Sequence, residues 1–189
     1  IKDDFLPPLL WNAIAYNASC ALRKPGTVAY DLISEKAFAT LSHFPLPTSG
    51  KGFELLLLEQ SYVNRMLRFK TTIREMFSKK KALTIFFPTV VYLENAVHSI
   101  SKGIDEYVVA LHGGLTEKQY TTALTKLTTT EHPVVILSTP SLLPWLREDL
   151  GAIIVEREHS HYYYTHGDNS YDMRPFLEGL AKAVNIPCV

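Results

Sequence analysis

Short apolar runs alternate with amphipathic stretches along the chain from Phe53 onward. Five of these runs are continuous rather than alternating, which is typical of parallel strands covered by helices on both faces. They are Phe53–Leu58, Leu83–Phe87, Tyr107–Leu111, Val134–Ser138 and Gly151–Val155. The pattern predicts that each run is a buried strand.

The stretches between these runs have helical spacing. The predicted helices are Val63–Phe77, Val90–Ile100, Thr116–Leu127 and Tyr171–Val184. Thr116 is a good N-cap, and Glu117 follows it in the first turn. Strands that alternate with such helices indicate βαβ crossovers and an α/β fold: a mainly parallel sheet with helices on both faces.

The beginning of the chain has a different organisation. Phe5–Cys20 and Thr27–Leu41 are predicted to be two helices, separated by a Pro-Gly breaker. The Pro/Gly-rich stretch Phe44–Gly52 follows. We therefore expect a helical linking segment over residues 1–48 and a main domain over 49–189. Asn185–Val189 resembles the start of a further strand, so we expect the domain to be truncated at its C-terminal end, as part of a longer protein.

Composition excludes several classes of protein. Of 189 residues, 47% are hydrophobic, which excludes disorder, and 19 basic residues balance 19 acidic ones. No apolar run approaches the roughly 18 residues of a membrane span, and the start is not a signal peptide. Cys20 and Cys188 lie far apart in sequence, which argues against a disulfide framework and favours a cytoplasmic location.

Leu150–His159 is the most informative segment, because an apolar strand there ends in acidic residues and a histidine. This is the layout of helicase motif II, in which an aspartate holds Mg²⁺ and the next glutamate polarises the attacking water. Other segments fit the same interpretation by their order and spacing. They are Phe87–Val90, Leu111–Thr116, Leu137–Leu142, and the single residues Tyr163, Tyr171 and Arg174.

Together these segments resemble the first ATPase domain of the primosomal replication-restart helicases (PriA, primosomal protein N′). Leu111–Thr116 is similar to the L-H-S-G-L-S of that family, and Leu137–Leu142 to its G-T-R-S-A. The resemblance covers roughly the last 135 residues, and the first 48 fit only loosely. It implies a RecA-like fold, ATP and Mg²⁺ as cofactors, and DNA as the ligand. The alternative is an unrelated doubly wound α/β domain.

The chain departs from the family at the nucleotide motifs. Glu59–Leu67 follows the first predicted strand without a glycine or a Lys-Ser/Thr pair, although a phosphate-binding loop needs both. Glu156 stands where the family has aspartate, and Arg157 where it has the catalytic glutamate. Because arginine cannot accept a proton from water, motif II (Glu156, Arg157, Glu158, His159) is predicted to be degenerate. We expect no catalytic residues, no metal and no bound cofactor.

Seven cations within 17 residues could form a phosphate-binding stripe, with Phe69 available for base stacking. They are Arg65, Arg68, Lys70, Arg74, Lys79, Lys80 and Lys81. The alternative is a solvated helix face whose last lysines complement the helix dipole. The resemblance adds loop residues that touch the DNA backbone in the family. The resulting DNA-binding set is Arg65, Arg68, Lys70, Arg74, Thr89, His112, Gly114, Thr139 and Ser141.

A group of histidines and acids follows motif II and admits a metal-site hypothesis. Its members are His159, His161, His166, Glu158 and Asp168. His159 and His161 would diverge if the strand continued, which disfavours the hypothesis. Tyr162, Tyr163 and Tyr164 are predicted to pack a loop against the sheet, with base stacking as the alternative.

The sequence thus predicts a primosomal-helicase-like domain with degenerate ATPase motifs, acting in DNA binding or scaffolding during replication restart or repair. Single-stranded or branched DNA and replication or repair proteins are the expected partners, without a membrane. Two alternatives stay open: an active ATP-dependent DNA helicase, and a protein-interaction module that does not bind nucleic acid.

Overall fold

Four parallel strands form the centre of the part that the structure, a computed structural model, describes: residues 8–32, 52–140, 147–165, 170 and 172–189. The strands are β1 (Ala82–Phe86), β2 (Val108–Leu111), β3 (Val135–Ser138) and β4 (Leu150–Val155). Their order in the sheet is β2-β3-β1-β4, and every pairing is parallel. Four of the five predicted strands are therefore confirmed to within a residue or two.

Helices connect and flank these strands. They are α1 (Pro8–Cys20), α2 (Pro25–Leu32), α3 (Tyr62–Ser78), α4 (Val90–Ile100), α5 (Glu117–Thr129) and α6 (Arg174–Ala183). Short 3-10 turns span Asp105–Tyr107 and His161–Tyr163. None of the helices in the described ranges is long and apolar enough to cross a membrane.

The sheet separates two hydrophobic cores, since successive side chains of a strand point to opposite faces. On one face Phe86 of β1 lies in a core with residues of α1, α2, α5 and α6. On the other face Ile85 lies in a core with residues of α3 and α4. The prediction of an α/β fold with helices on both faces is confirmed.

The prediction of a buried strand over Phe53–Leu58 was wrong. Leu55 forms one isolated parallel bridge with Cys188, which itself bridges Ile153 of β4. The four leucines that follow Glu54 are exposed to solvent. Four consecutive leucines have the composition of a buried strand, but a buried strand also needs a neighbouring strand on each side. Among the described residues, Leu55 has such a neighbour, Cys188, on one side only.

The N-terminal helices pack directly on the main domain. At position 179 of α6 a Cβ would lie 2.8 Å from the ring of Tyr16 of α1, so the glycine permits close contact between these helices. The Tyr16 hydroxyl also donates a hydrogen bond to Glu178 at 3.0 Å. The predicted boundary between residues 48 and 49 lies outside the described residues, as does the end of the predicted helix Thr27–Leu41.

Candidate functional site

The carboxyl ends of the four parallel strands meet at one edge of the sheet, where α/β proteins bind their ligands. Thr89 follows β1, His112 and Gly114 follow β2, Thr139 follows β3 and Glu156 follows β4. The structure therefore brings most of the predicted loop residues to one edge. Ser141 lies outside the described residues.

A bidentate ion pair occupies this edge between α3 and the end of β4. Arg65 Nε lies 3.0 Å from Oε1 and 3.1 Å from Oε2 of Glu156, and Arg65 Nη2 lies 3.0 Å from Oε1. The Glu156 side chain is 3% exposed and that of Arg65 21%. Charge-assisted bidentate pairs of this kind are both strong and geometrically specific.

The segment that should cradle phosphates holds this arginine in place. Ser61 caps α3, because its hydroxyl accepts a hydrogen bond from the Asn64 amide at 3.4 Å. Arg65 Nη1 donates to the carbonyl of Gln60, and its guanidinium lies 6.0 Å from the centroid of the Tyr62 ring. The Arg65 guanidinium thus already has Glu156 and Gln60 as hydrogen-bond partners, and its predicted contact with DNA phosphates stays a prediction.

The ATP and Mg²⁺ that the resemblance implies do not fit these residues. Both Glu156 oxygens already receive hydrogen bonds from the Arg65 guanidinium, so a metal ion would have to displace a cation from a buried carboxylate. A triphosphate would meet the Glu156 carboxylate and a helix start with the large side chains of Tyr62 and Val63. We assign no catalytic step to this edge.

The other three residues of motif II have separate environments. Arg157 has a positive φ of 55°, which is strained for a side chain with a Cβ, and its guanidinium lies 4.5 Å from the centroid of the Tyr92 ring. The carbonyl of Glu158 accepts a hydrogen bond from Arg174, and His159 is exposed. Nothing in the sequence pattern indicated that Tyr92 would support Arg157, because the two lie on different elements.

Tyr163 anchors the loop after β4 to the sheet. Its side chain is fully buried, and its hydroxyl lies 2.7 Å from the Glu156 carbonyl and 3.0 Å from the Phe86 carbonyl, both of which accept from it. Burial, and secondarily the nearby Glu156 carboxylate, raises the pKa of Tyr163 well above its ordinary value. The packing prediction is confirmed for Tyr163 and wrong for Tyr162 and Tyr164, which are exposed.

The metal-site hypothesis finds no support in the described part of the chain, where no three His, Cys, Asp or Glu side chains come close enough to hold an ion. His166 and Asp168 lie outside that part. Close to this segment the Arg174 guanidinium binds the Asp172 carboxylate at 2.6 Å.

The basic cluster does not form one stripe. α3 is roughly 25 Å long at 1.5 Å per residue, and it runs from the carboxyl edge to the opposite edge, where Lys79–Lys81 lead into β1. Arg68 and Arg74 are exposed and Lys70 is half-buried, whereas Phe69 is buried in the core below the helix. The prediction that Phe69 is available for base stacking was wrong.

The loop after β2 contains His112, which the family resemblance places in the predicted DNA-binding set. The His112 side chain is buried, and its Nδ1 has no hydrogen-bond partner among the described residues. A Cβ at Gly114 would lie 3.2 Å from that nitrogen, so the glycine leaves room for the imidazole ring. His112 therefore shapes the loop from within, and the exposed backbone of Gly113 and Gly114 forms its surface.

Comparison with known proteins finds no matching family model and no matching curated protein. Fourteen solved chains are similar, among them two ATPase C-terminal domains. One is a SWI2/SNF2 ATPase C-terminal domain from Sulfolobus solfataricus, with 19% identity over 51% of this chain and 44% of that chain, at a TM-score of 0.40. The other is the C-terminal part of the Fun30 ATPase domain, with 11% identity over 97% and 63% of the two chains, at a TM-score of 0.44. The chain thus spans less than two thirds of either neighbour, and likenesses of this size establish neither a family nor a binding site.

Proposed function

We propose that this chain is a helicase-like, RecA-type domain that binds single-stranded DNA and does not hydrolyse ATP. The observation that carries the proposal is the buried Arg65–Glu156 pair at the carboxyl edge of the parallel sheet. It lies where a helicase would hold the metal and the phosphates, and it uses both charges for a structural contact. The resemblance to primosomal helicases supports a cytoplasmic role in replication restart or repair, with proteins of those complexes as partners.

The DNA part of the proposal uses the loops beside this pair. Gly113 and Gly114 are exposed after β2, and the half-buried Thr89 caps α4 by accepting from the Tyr92 amide. Backbone amides and hydroxyls of this kind position a phosphate backbone without reading its sequence. His112 and Thr139 are buried and support these loops from below.

The exposed cations of α3 supply the electrostatic part of the affinity. Arg68 and Arg74 are exposed, and no ion pair of either is found among the described residues. Phosphate neutralisation by such side chains releases counterions, so the affinity is independent of sequence and falls steeply with salt.

A binding assay with a fluorescent oligothymidylate tests this proposal. Reversing two charges in Arg68→Glu/Arg74→Glu should weaken binding for every sequence and lower the salt slope by about one for each phosphate that is no longer neutralised. The matched control is Lys24→Glu/Lys102→Glu, which changes the net charge equally at exposed positions outside α3 and the four carboxyl-edge loops. An equal decrease of DNA affinity in both variants would show that net charge alone, and not the position of Arg68 and Arg74, determines binding.

The two rival functions have distinct signatures in the same experiments. Absence of DNA binding at low salt would favour the protein-interaction module. DNA-stimulated phosphate release that copurifies with the chain would favour the active helicase, and the interpretation of the Arg65–Glu156 pair would then be wrong.

A further inference from the structure

Four leucines, Leu55–Leu58, lie at the side of the sheet. Leu55 is bridged to Cys188, and Cys188 is bridged to Ile153 of β4. Leu55 is 60% exposed and Leu57 79%, and their neighbours Leu56 and Leu58 are 45% and 41% exposed. An exposed apolar run of this length at the edge of a sheet is unusual, because edges of this kind pair with other chains.

The backbone at this edge has hydrogen-bonding groups that face outward. The Cys188 amide donates to the Glu54 carbonyl at 2.8 Å, and the Leu56 amide donates to the Cys188 carbonyl at 2.9 Å. These two bonds flank Leu55, so its own N–H and C=O point away from Cys188. No backbone group of the described residues pairs with them.

The opposite edge of the same sheet is protected. Lys126 of α5 reaches over β2, and its Nζ donates to the carbonyl of Val108 at 2.9 Å and of Asp105 at 3.1 Å. A lysine over an edge strand is a common device against unwanted pairing. Between Glu54 and Glu59 the leucine edge has no charged side chain.

We propose that the leucine edge, residues 54–59, binds an extended segment of another protein by β-strand addition, and that this segment is apolar with lysine or arginine at both ends. Glu54 and Glu59 are exposed and flank the four leucines. Opposite charges across a strand pair stabilise it and like charges destabilise it. The two glutamates therefore select a partner with basic ends, and main-chain hydrogen bonds to Leu55 supply the affinity.

A second copy of this chain would bring no opposite charge to this edge. Directly opposed residues of an antiparallel pair direct their N–H and C=O groups to the same side, so two such edges would pair odd-numbered residues with odd-numbered ones. In the registers of fullest overlap Glu54 lies opposite Leu58, or Glu59 opposite Leu55, and neither pair is a salt bridge. At about 3.3 Å per residue, a partner of roughly six residues is long enough to reach both carboxylates.

Two labelled peptides test the charge requirement. The first is Lys-Thr-Val-Ile-Val-Lys, blocked at both ends, whose lysines are five positions apart like Glu54 and Glu59, and the second has glutamate in place of both lysines. The lysine peptide is expected to bind at least tenfold more tightly by fluorescence anisotropy, and to slow hydrogen exchange of the Leu55 amide at least tenfold. Glu54→Lys/Glu59→Lys, which changes two exposed side chains, should reverse the preference between the peptides.

Two substitutions at one position test the backbone requirement. Leu55→Pro removes the outward N–H and leaves the two bonds to Cys188 in place, whereas Leu55→Val keeps the donor. The proline variant should bind the lysine peptide at least tenfold more weakly than the valine variant, with unchanged circular dichroism. If the proline variant does not fold, the peptide preference of Glu54→Lys/Glu59→Lys tests the proposal without it.

Several results would overturn the proposal. They are equal binding of the two peptides, equal affinity of the proline and valine variants, and slow exchange of the Leu55 amide before any peptide is added. Concentration-dependent self-association that Leu55→Pro abolishes would identify a second copy as the partner instead. Each readout is independent of DNA, so the outcome is separable from that of the proposed function.

Discussion

Glu156 is a buried carboxylate whose charge is balanced by the guanidinium of Arg65 on another element. At the scale of single residues this pair decides what the carboxyl edge can do. Taking one partner away leaves an uncompensated charge in the protein interior, which costs far more than breaking a surface ion pair.

Replacing Arg65 by methionine should therefore lower the free energy of unfolding by about 3 kcal/mol, measured by urea denaturation. The control is Arg68→Met on the same helix, where an exposed side chain should change stability by less than about 0.5 kcal/mol. Arg65→Met/Glu156→Leu should recover most of the stability, since both charges are then removed. Similar values for Arg65→Met and Arg68→Met would contradict the structural role of the pair.

Tyr163 connects stability to pH. Its pKa is raised by burial, so the folded state holds the phenol proton above pH 10, where the unfolded chain releases it. The resulting stability is complete below about pH 10 and is lost as the pH rises further. Tyr163→Phe should cost about 1 kcal/mol at pH 7 and should flatten the decline of stability above pH 10. Unfolding curves at pH 7, 9 and 10.5 test this, and identical pH slopes for the two proteins would refute it.

Among the helices, α5 has the clearest start signal in the sequence. The Thr116 hydroxyl accepts from the Gln119 amide at 3.3 Å, and the Gln119 side chain accepts from the Thr116 amide at 2.9 Å. This reciprocal capping box satisfies two backbone donors that the first turn leaves unpaired. It begins the helix directly after the loop that contains Gly113 and Gly114.

Thr116→Ala should lower the free energy of unfolding by about 1 kcal/mol, because it removes the hydroxyl that accepts from the Gln119 amide. Thr121→Ala is the matched control on the same helix. The Thr121 hydroxyl bonds only to the Glu117 carbonyl one turn back, and alanine favours the helix interior. Chemical denaturation should therefore find Thr121→Ala neutral or slightly stabilising. An equal decrease in the free energy of unfolding for both substitutions would show that the cap contributes nothing specific.

At the scale of the whole molecule, the sheet has one edge that the proposed function assigns to DNA and another that we assign to a protein segment. The loops after β1, β2 and β3 lie at the carboxyl edge, whereas Leu55 is bridged to Cys188 at the side of the sheet, beyond β4. The two surfaces are formed by different residues, so substitutions in one should leave binding at the other unchanged.

The nucleotide prediction also belongs to this scale. A ligand that binds the folded state at 100 times its dissociation constant adds about 2.7 kcal/mol of stability, which a thermal melt detects easily. Millimolar Mg²⁺-ATP should leave Tm unchanged, because Arg65 and Glu156 are already paired. Arg157→Glu should not restore turnover, since it leaves that pair intact. A rise in Tm with ATP would show that the pair opens for nucleotide.

The sequence by itself determined the layered α/β architecture and the start of most elements. Continuous apolar runs and helical spacing encode local structure and burial, and both are properties of neighbouring residues. Thr116 as a cap, β4 as a buried strand and the loop residues at strand ends followed from this local information. The absence of glycine from Glu59–Leu67 predicts a degenerate phosphate loop from the same local information, and this stays a prediction.

Only the tertiary structure decided which side chains meet. Arg65 and Glu156 are 91 positions apart and form one ion pair, so the cation predicted to bind DNA is an internal contact. Phe69 looked available for stacking because its neighbours are basic, and helix rotation buries it. Leu55–Leu58 looked buried because it is apolar, and the described sheet leaves it at an edge. Composition sets what a residue favours, whereas neighbours brought together by folding set whether it is paired, covered or free.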